Sequence, residues 1–208
     1  MQRRNNRIYI ILGIVFVIIG VVIGIIPFII SYNNLKVENK KIEEFFQKPY
    51  VQNNDLIYEE KSISESSNKH LEESYLMILE ISKINLKKGL YNIDSQYNSV
   101  NYNIEILKES DMPNIENGHL ILAGHNGNSS VSYFDKLNKL EKNDVVNVFY
   151  NNIKYTYKID NIYEIEKNGT ANIKQNKKTT IIALITCKKY SDDKQIVFIG
   201  NLVDKENY

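Results

Sequence analysis

A single cysteine, Cys187, serves a chain of 208 residues. One thiol excludes an intrachain disulfide framework. It leaves a buried structural group, a link to another chain, or a reactive nucleophile. Arginine stops at residue 7, with Arg3, Arg4 and Arg7 the only three. The formal net charge is +1, and no basic stripe with interleaved aromatics runs along the chain. Composition therefore gives no case for nucleic acid as a partner. There is no internal repeat. The absence of tryptophan and the abundance of Asn, Lys, Ile and Tyr are the mark of an AT-biased coding sequence, not of a function.

Charge is missing altogether from Ile8–Ser31, "IYIILGIVFVIIGVVIGIIPFIIS". About 20 apolar residues cross a hydrocarbon core, so this run is long enough for a membrane span. No A-x-A-like site closes it, as a cleaved secretory signal would require. The arginines before it are expected to stay in the cytoplasm. The sequence thus predicts a cytoplasmic tail over 1–7, a transmembrane anchor over 8–31, and everything beyond outside the cell. Residues 32–74 read as an extracellular helix and stalk. In "NNLKVENKKIEEFFQK", Leu35, Ile42, Phe45 and Phe46 recur at helical spacing, and Pro49 should end that helix. The Ser-, Glu- and Asn-rich stretch that follows reads as linker, with His70 a solvated residue in it.

From Tyr75 onward the pattern changes to short apolar runs. "YLMILEISKINL", "GHLILAGH", "DVVNVFY", "IKYTYKID", "IYEIE", "TTIIALIT" and "QIVFIGNLV" read as strands, and Asn151-Asn152 as a two-residue hairpin turn. A helical period occurs in "VSYFDKLNKLEKND", where Phe134, Leu137 and Leu140 share a face. The domain over 75–208 is therefore all-β, a barrel or sandwich with short helices on its connections.

The residues with chemistry to offer are Cys187, His125 and His119. A thiol attacks as thiolate, and at its ordinary pKa of about 8.5 little is ionised at neutral pH unless an imidazolium or other cation stands near. His125 follows Ala123-Gly124 at the end of one apolar run, where Gly124 permits a sharp bend. Cys187 follows Thr186 at the end of another. Two reactive side chains at the ends of two strands is an arrangement a barrel can build. The residues alone leave the bland reading open: a lone cysteine in an apolar strand is ordinarily a small core residue, and a histidine beside glycine a turn residue.

"AGHNGNSSVSYFDKLNKLEKNDVVNVFYNNIKYTYKID" followed by "LITC" resembles the sortases, membrane-anchored cysteine transpeptidases of Gram-positive bacteria. The N-terminal anchor, the first strand "ISKI" (Ile81–Ile84), the "AGH" histidine and the "LITC" cysteine occur in the family's order, and the likeness covers about residues 75–203. It implies a closed β-barrel of seven to eight strands. It also implies His125 and Cys187 as catalytic residues, with Thr186 adjacent to the nucleophile. The family's arginine, at the start of the strand after the cysteine loop, has no counterpart in "SDDKQIVFIG". Its position falls on Gln195, with Lys194 beside it, so these two are the candidate oxyanion donors. As neighbours in a strand they face opposite sides, and only one can serve. Ser82 for the family's proline and Ala183 for its threonine are smaller departures.

The resemblance implies cleavage of an LPxTG-like sorting signal on a secreted protein. Cys187 would form a thioacyl-enzyme, and the acyl group would pass to a peptidoglycan cross-bridge or pilin amine. No cofactor and no metal are implied. The alternative is a catalytically silent sortase-like binding or scaffold module, favoured by the missing arginine. Other cysteine hydrolases of the wall fit less well. Papain-like enzymes place cysteine before histidine, and no histidine-glycine-cysteine motif surrounds Cys187.

Overall fold

The computed structural model describes residues 2–47, 74–167 and 178–208. The linker with His70, and most of the polar loop "KNGTANIKQNKK", lie outside the described residues. The chain divides into two compact units, one running to Lys41 and one comprising Ile42–Tyr208.

The anchor and the amphipathic helix that the sequence separates are one α-helix, α1 (Gln2–Gln47). Tyr32, Asn33 and Asn34 between them are weak helix formers but not breakers. Pro27 lies inside the helix, where it removes one backbone hydrogen bond without ending it. Apolar side chains of the first unit, Phe16 and Phe28 among them, are exposed. Among the described residues α1 is the one helix long and apolar enough to cross a membrane, and it is a candidate anchor.

The second unit is a nearly closed, eight-stranded barrel. Its strands are β1 (Met77–Ile81), β2 (Leu86–Leu90), β3 (Glu105–Ile106), β4 (His119–Ala123), β5 (Val145–Tyr150), β6 (Ile153–Glu166), β7 (Ile181–Cys187) and β8 (Lys194–Asn207). Their lateral order is β2-β1-β5-β6-β8-β7-β4-β3. Every neighbouring pair is antiparallel except β4 and β7, which run parallel.

Local chemistry explains most boundaries. Asn151 and Asn152 form the β5–β6 turn with φ of 52° and 58°, the left-handed pair that a two-residue hairpin requires. The run from Tyr75 to Leu86 breaks after Ile81 into a 3-10 turn, Ser82–Ile84, closed by Asn85 at φ 54°. "IKYTYKID" and "IYEIE" are one 14-residue strand. Its pairing with β8 slips at Thr156/Tyr157 and again at Ile159/Asn161, so Asp160 and Asn161 make an irregularity, not a break. The helix expected over 131–144 is only a 3-10 turn, Leu137–Lys139. Phe134, Leu137 and Leu140 are buried as expected, but their spacing is i, i+3 throughout. That spacing suits a three-residue turn, and Tyr133, four residues before Leu137 and seven before Leu140, is only partly buried against the core.

Two faces of the sheet carry apolar clusters. Leu79, Val148, Tyr157, Leu184 and Phe198 help fill the barrel interior. On the outer face of β4, β7 and β8, Ile121, Ala183, Ile185, Val197 and Ile199 make a second, smaller cluster, flanked by Leu107, Tyr163 and Ile165. A third cluster joins Ile42, Tyr75, Ile78 and Phe149 with Phe45 and Phe46. The ring of Phe46 lies 5.1 Å from those of both Phe149 and Tyr208. The last turns of α1 thus belong to the barrel's own packing.

Candidate active site

The parallel β4–β7 pair brings together what the sequence holds 62 positions apart. Its register matches His119 with Ile181 and Ala123 with Ile185. One further backbone bond, from Gly124 N–H to the Ile185 carbonyl at 3.1 Å, carries the ladder past the end of β4. Counted on by the same register, His125 falls level with Cys187. Because the strands are parallel, both residues leave the sheet at the same end.

The antiparallel β7–β8 pair adds a third member. Cys187 is the register partner of Gln195, and Gln195 in turn of Ile165 on β6. Register partners point to the same face. Ile165, Gln195 and Cys187 therefore form one lateral row, on the face floored by Ile185 and Val197, and His125 lies two residues beyond the end of β4, past the last rung of the ladder. Lys194 belongs to the opposite face. Its Nζ lies 3.8 Å from Glu164, whose other oxygen binds Lys188 Nζ at 2.6 Å. That hydrogen bond from Lys188 holds the Glu164 carboxyl below its ordinary pKa.

Two side chains tie the strand ends. Thr186, nearly fully buried, donates its hydroxyl to the Gly124 carbonyl at 2.8 Å. Asn126 Nδ2 donates to the carbonyl of Cys187 itself at 2.9 Å. The loop beyond folds back through a bond from Phe134 N–H to the His125 carbonyl at 3.0 Å. Gly124 is needed for close approach, not for a bend. A Cβ there would lie 2.8 Å from the buried Phe134 ring, and no left-handed φ is involved.

Cys187 is half-buried and opens on a cleft of about 430 Å³, with Asn126 and Gly127 on one side and Lys188, Lys189 and Tyr190 on another. The end of β6 contributes Lys167. The β7–β8 turn is held by its backbone. Lys188 N–H donates to the Lys194 carbonyl at 2.9 Å, and Lys167 N–H to that of Asp193 at 2.7 Å. The Ser191 hydroxyl donates to the Asp193 carboxylate at 2.6 Å and holds its pKa down. Among the described residues no group of three His, Cys, Asp or Glu could hold a metal ion.

His119 stands apart. It opens β4 at the end remote from Cys187, buried, with Nε2 lacking a partner among the described residues. Its backbone bonds go to Asp111. Sequence reasoning missed Asn126 and Lys167. The signal for Asn126 was a carboxamide directly after the strand-end histidine. Lys167 carried none, since only the fold brings the end of β6 to the cleft.

The sortase-domain family model matches residues 79–203, well over half of the chain. The protein belongs to the sortase family. Membership places it among the sortase-type transpeptidases in general. A search of curated proteins gives no match. Among solved structures, sortase C1 from Streptococcus agalactiae is 24% identical, with a TM-score of 0.55 over 70% of this chain and 79% of that one. A sortase D5 transpeptidase from Clostridium perfringens is 23% identical, with a TM-score of 0.56 over 81% and 99%. Streptococcus pneumoniae sortase C, a structure described in terms of pilin substrate specificity, is 20% identical, with a TM-score of 0.56 over 62% and 69%. At these identities the likeness to the solved structures is one of fold.

Proposed function

We propose that this sortase cleaves an LPxTG-like sorting signal on a secreted protein through a thioacyl-enzyme on Cys187, with His125 as acid and base. The reading rests on the parallel β4–β7 pair, which ends with His125 just beyond one strand and Cys187 at the end of the other, and on Gln195 as the register partner of Cys187. His125 takes the proton of the Cys187 thiol. The Cys187 thiolate attacks the threonine carbonyl carbon; a C–S bond forms and the scissile C–N bond breaks. The proton passes from the His125 imidazolium to the leaving glycine amine. An acceptor amine, from a peptidoglycan cross-bridge or a pilin, then attacks the thioester. A C–N bond forms, the C–S bond breaks, and the amine's proton returns to His125.

The oxyanion requires a donor that the family draws from arginine. Gln195 takes that position on the face of Cys187, and its carboxamide N–H is the donor we assign. Lys194 faces away and is engaged with Glu164. The departure from arginine also favours a second reading, a catalytically silent sortase-like binding module.

One experiment separates the two. The full chain is incubated with LPxTG-type peptides, and the mass of Cys187 is followed. The parent should acquire the acyl group, Cys187→Ala should not, and His125→Ala should do so several orders of magnitude more slowly. Gln195→Ala should lower turnover by about 10²–10³ and Lys194→Ala only slightly, while Gln195→Arg should be tolerated. A parent never acylated by any sorting peptide would favour the silent module.

We further propose residues 1–7 as a cytoplasmic tail, 8–31 as the membrane span, and 75–208 as the extracellular catalytic domain. The uncharged run after three arginines supports this. Protease added outside intact protoplasts should remove the barrel. Protection of the barrel would reverse the topology.

A further inference from the structure

The cleft around Cys187 has an uneven charge. Lys167 comes from the end of β6, and Lys188 and Lys189 from the turn after β7, while Asp192 is the one acid in its lining. Lys188 is compensated by Glu164 at 2.6 Å. Lys167 and Lys189 are exposed and have no ion-pair partner among the described residues. Their backbones are nonetheless fixed, Lys167 by its bond to Asp193, and Lys189 within a turn that Lys188 and Ser191 close. Two uncompensated ammonium groups, held on ordered backbone on different segments of one cleft, raise the local concentration of anions there. Any effect of these cations on the thiol itself is common to every reactant, whereas attraction of an anion distinguishes a charged reactant from an uncharged one.

We propose that the cleft selects a reactant carrying a carboxylate beside its reacting group, and that Lys167 and Lys189 recognise that carboxylate. The proposal deepens the transpeptidase reading and rests on it for the identity of the reactant. The same chemistry has two sources: an acidic residue at the variable position of the sorting signal, or a carboxylate adjoining the acceptor amine. An exposed lysine contributes about 1.5- to 5-fold to such a preference, and salt erodes it.

Because the chain has one cysteine, alkylation reports on this cleft alone. The full chain is treated with iodoacetate and with iodoacetamide, which differ in a carboxylate. The iodoacetate-to-iodoacetamide rate ratio at Cys187 should fall about 1.5- to 5-fold in Lys189→Gln and again in Lys167→Gln. It should fall likewise in the parent at about 1 M salt. Lys142→Gln removes an equal charge outside the cleft and should leave the ratio at the parent's value. This arm requires no sorting peptide, so the charge reading and the transpeptidase reading can fail separately. Two further arms locate the source. Acylation is compared between peptides with Glu and Gln at the variable position of the LPxTG-like signal. Deacylation is compared between lysine and lysinamide as acceptors. Preference for the acid in the first arm assigns the carboxylate to the sorting signal, and in the second to the amine. A ratio indifferent to both substitutions and to salt, or equal rates in both later arms, would overturn the proposal.

Discussion

Asn126 shows how much one carboxamide can carry. Its Nδ2 holds the carbonyl of Cys187, while its Oδ1 is buried without a partner among the described residues. A carbonyl left unbound at that point lets the end of β7 drift, and the thiol drifts with it. A neutral hydrogen bond is worth about 0.5–1.5 kcal/mol. Asn126→Ala should therefore lower kcat about 2- to 12-fold with KM nearly unchanged, as steady-state peptide cleavage would show. Asn126→Asp keeps the shape but offers no N–H to the carbonyl, and it should fall at least as far. A residue that only filled space would show the opposite order, with Asp milder than Ala. Gln195 and Lys194 make the complementary point. Alternation along a strand already said that only one of them could face the thiol. Which one became legible only when register matched Gln195 with Cys187, because register is a property of two strands and not of one.

Among the elements, the strands were legible wherever alternation and turn chemistry agreed, as at Val145–Tyr150, Asn151-Asn152 and Ile153. Two features were not. Glu105–Ile106 is too short to show a period and exists as a strand only because β4 offers an edge. The parallel pairing of β4 with β7 leaves no local mark in either sequence, although it brings the strand end before His125 beside the one that carries Cys187. One junction between elements is held by charge. Lys83, in the turn after β1, binds Asp144 at 2.8 Å and Glu141 at 3.1 Å, just ahead of β5. Those hydrogen bonds raise the Lys83 pKa. Burial works against the Asp144 charge, but the bonds from Lys83 and the Glu141 backbone outweigh it and hold its pKa below the ordinary value. The depressed Asp144 contributes stability that is full above its unfolded value and lost as pH falls through its folded one. The raised Lys83 contributes below its unfolded value and loses that contribution as pH rises through its folded one. Lys83→Met should thus unfold more easily than the parent around neutral pH, and the gap should close as pH falls through the depressed folded value of Asp144. Thermal melts across that range would check it; a gap that persisted in strong acid would mean Lys83 acts through packing.

At the scale of the whole molecule, the barrel does not begin at its first strand. Ile42, Phe45 and Phe46 pack with Ile78 and Phe149, so the unit includes the last turns of α1. Burial of one large apolar side chain is worth about 1.5–3 kcal/mol. A protein shortened to residues 74–208 should therefore be less stable than one beginning before Ile42, on the order of 3 kcal/mol in denaturant unfolding. Equal stability would mean that the aromatic cluster adds nothing to the fold. The β4–β7 pair has a consequence of another kind, in the order of events as the chain is made. His125 leaves the ribosome some 60 residues before Cys187. β7 then lies between β4 and β8, and β8 follows it in the chain. Contacts this distant in sequence close late, after the loop entropy between them has been overcome. A nascent or truncated chain that lacks β8 has a β7 with one unfilled edge, and the lateral row is without Gln195. In such a chain the thiol lacks its Gln195 neighbour, so that reactivity at Cys187 should itself report that β8 has found its place.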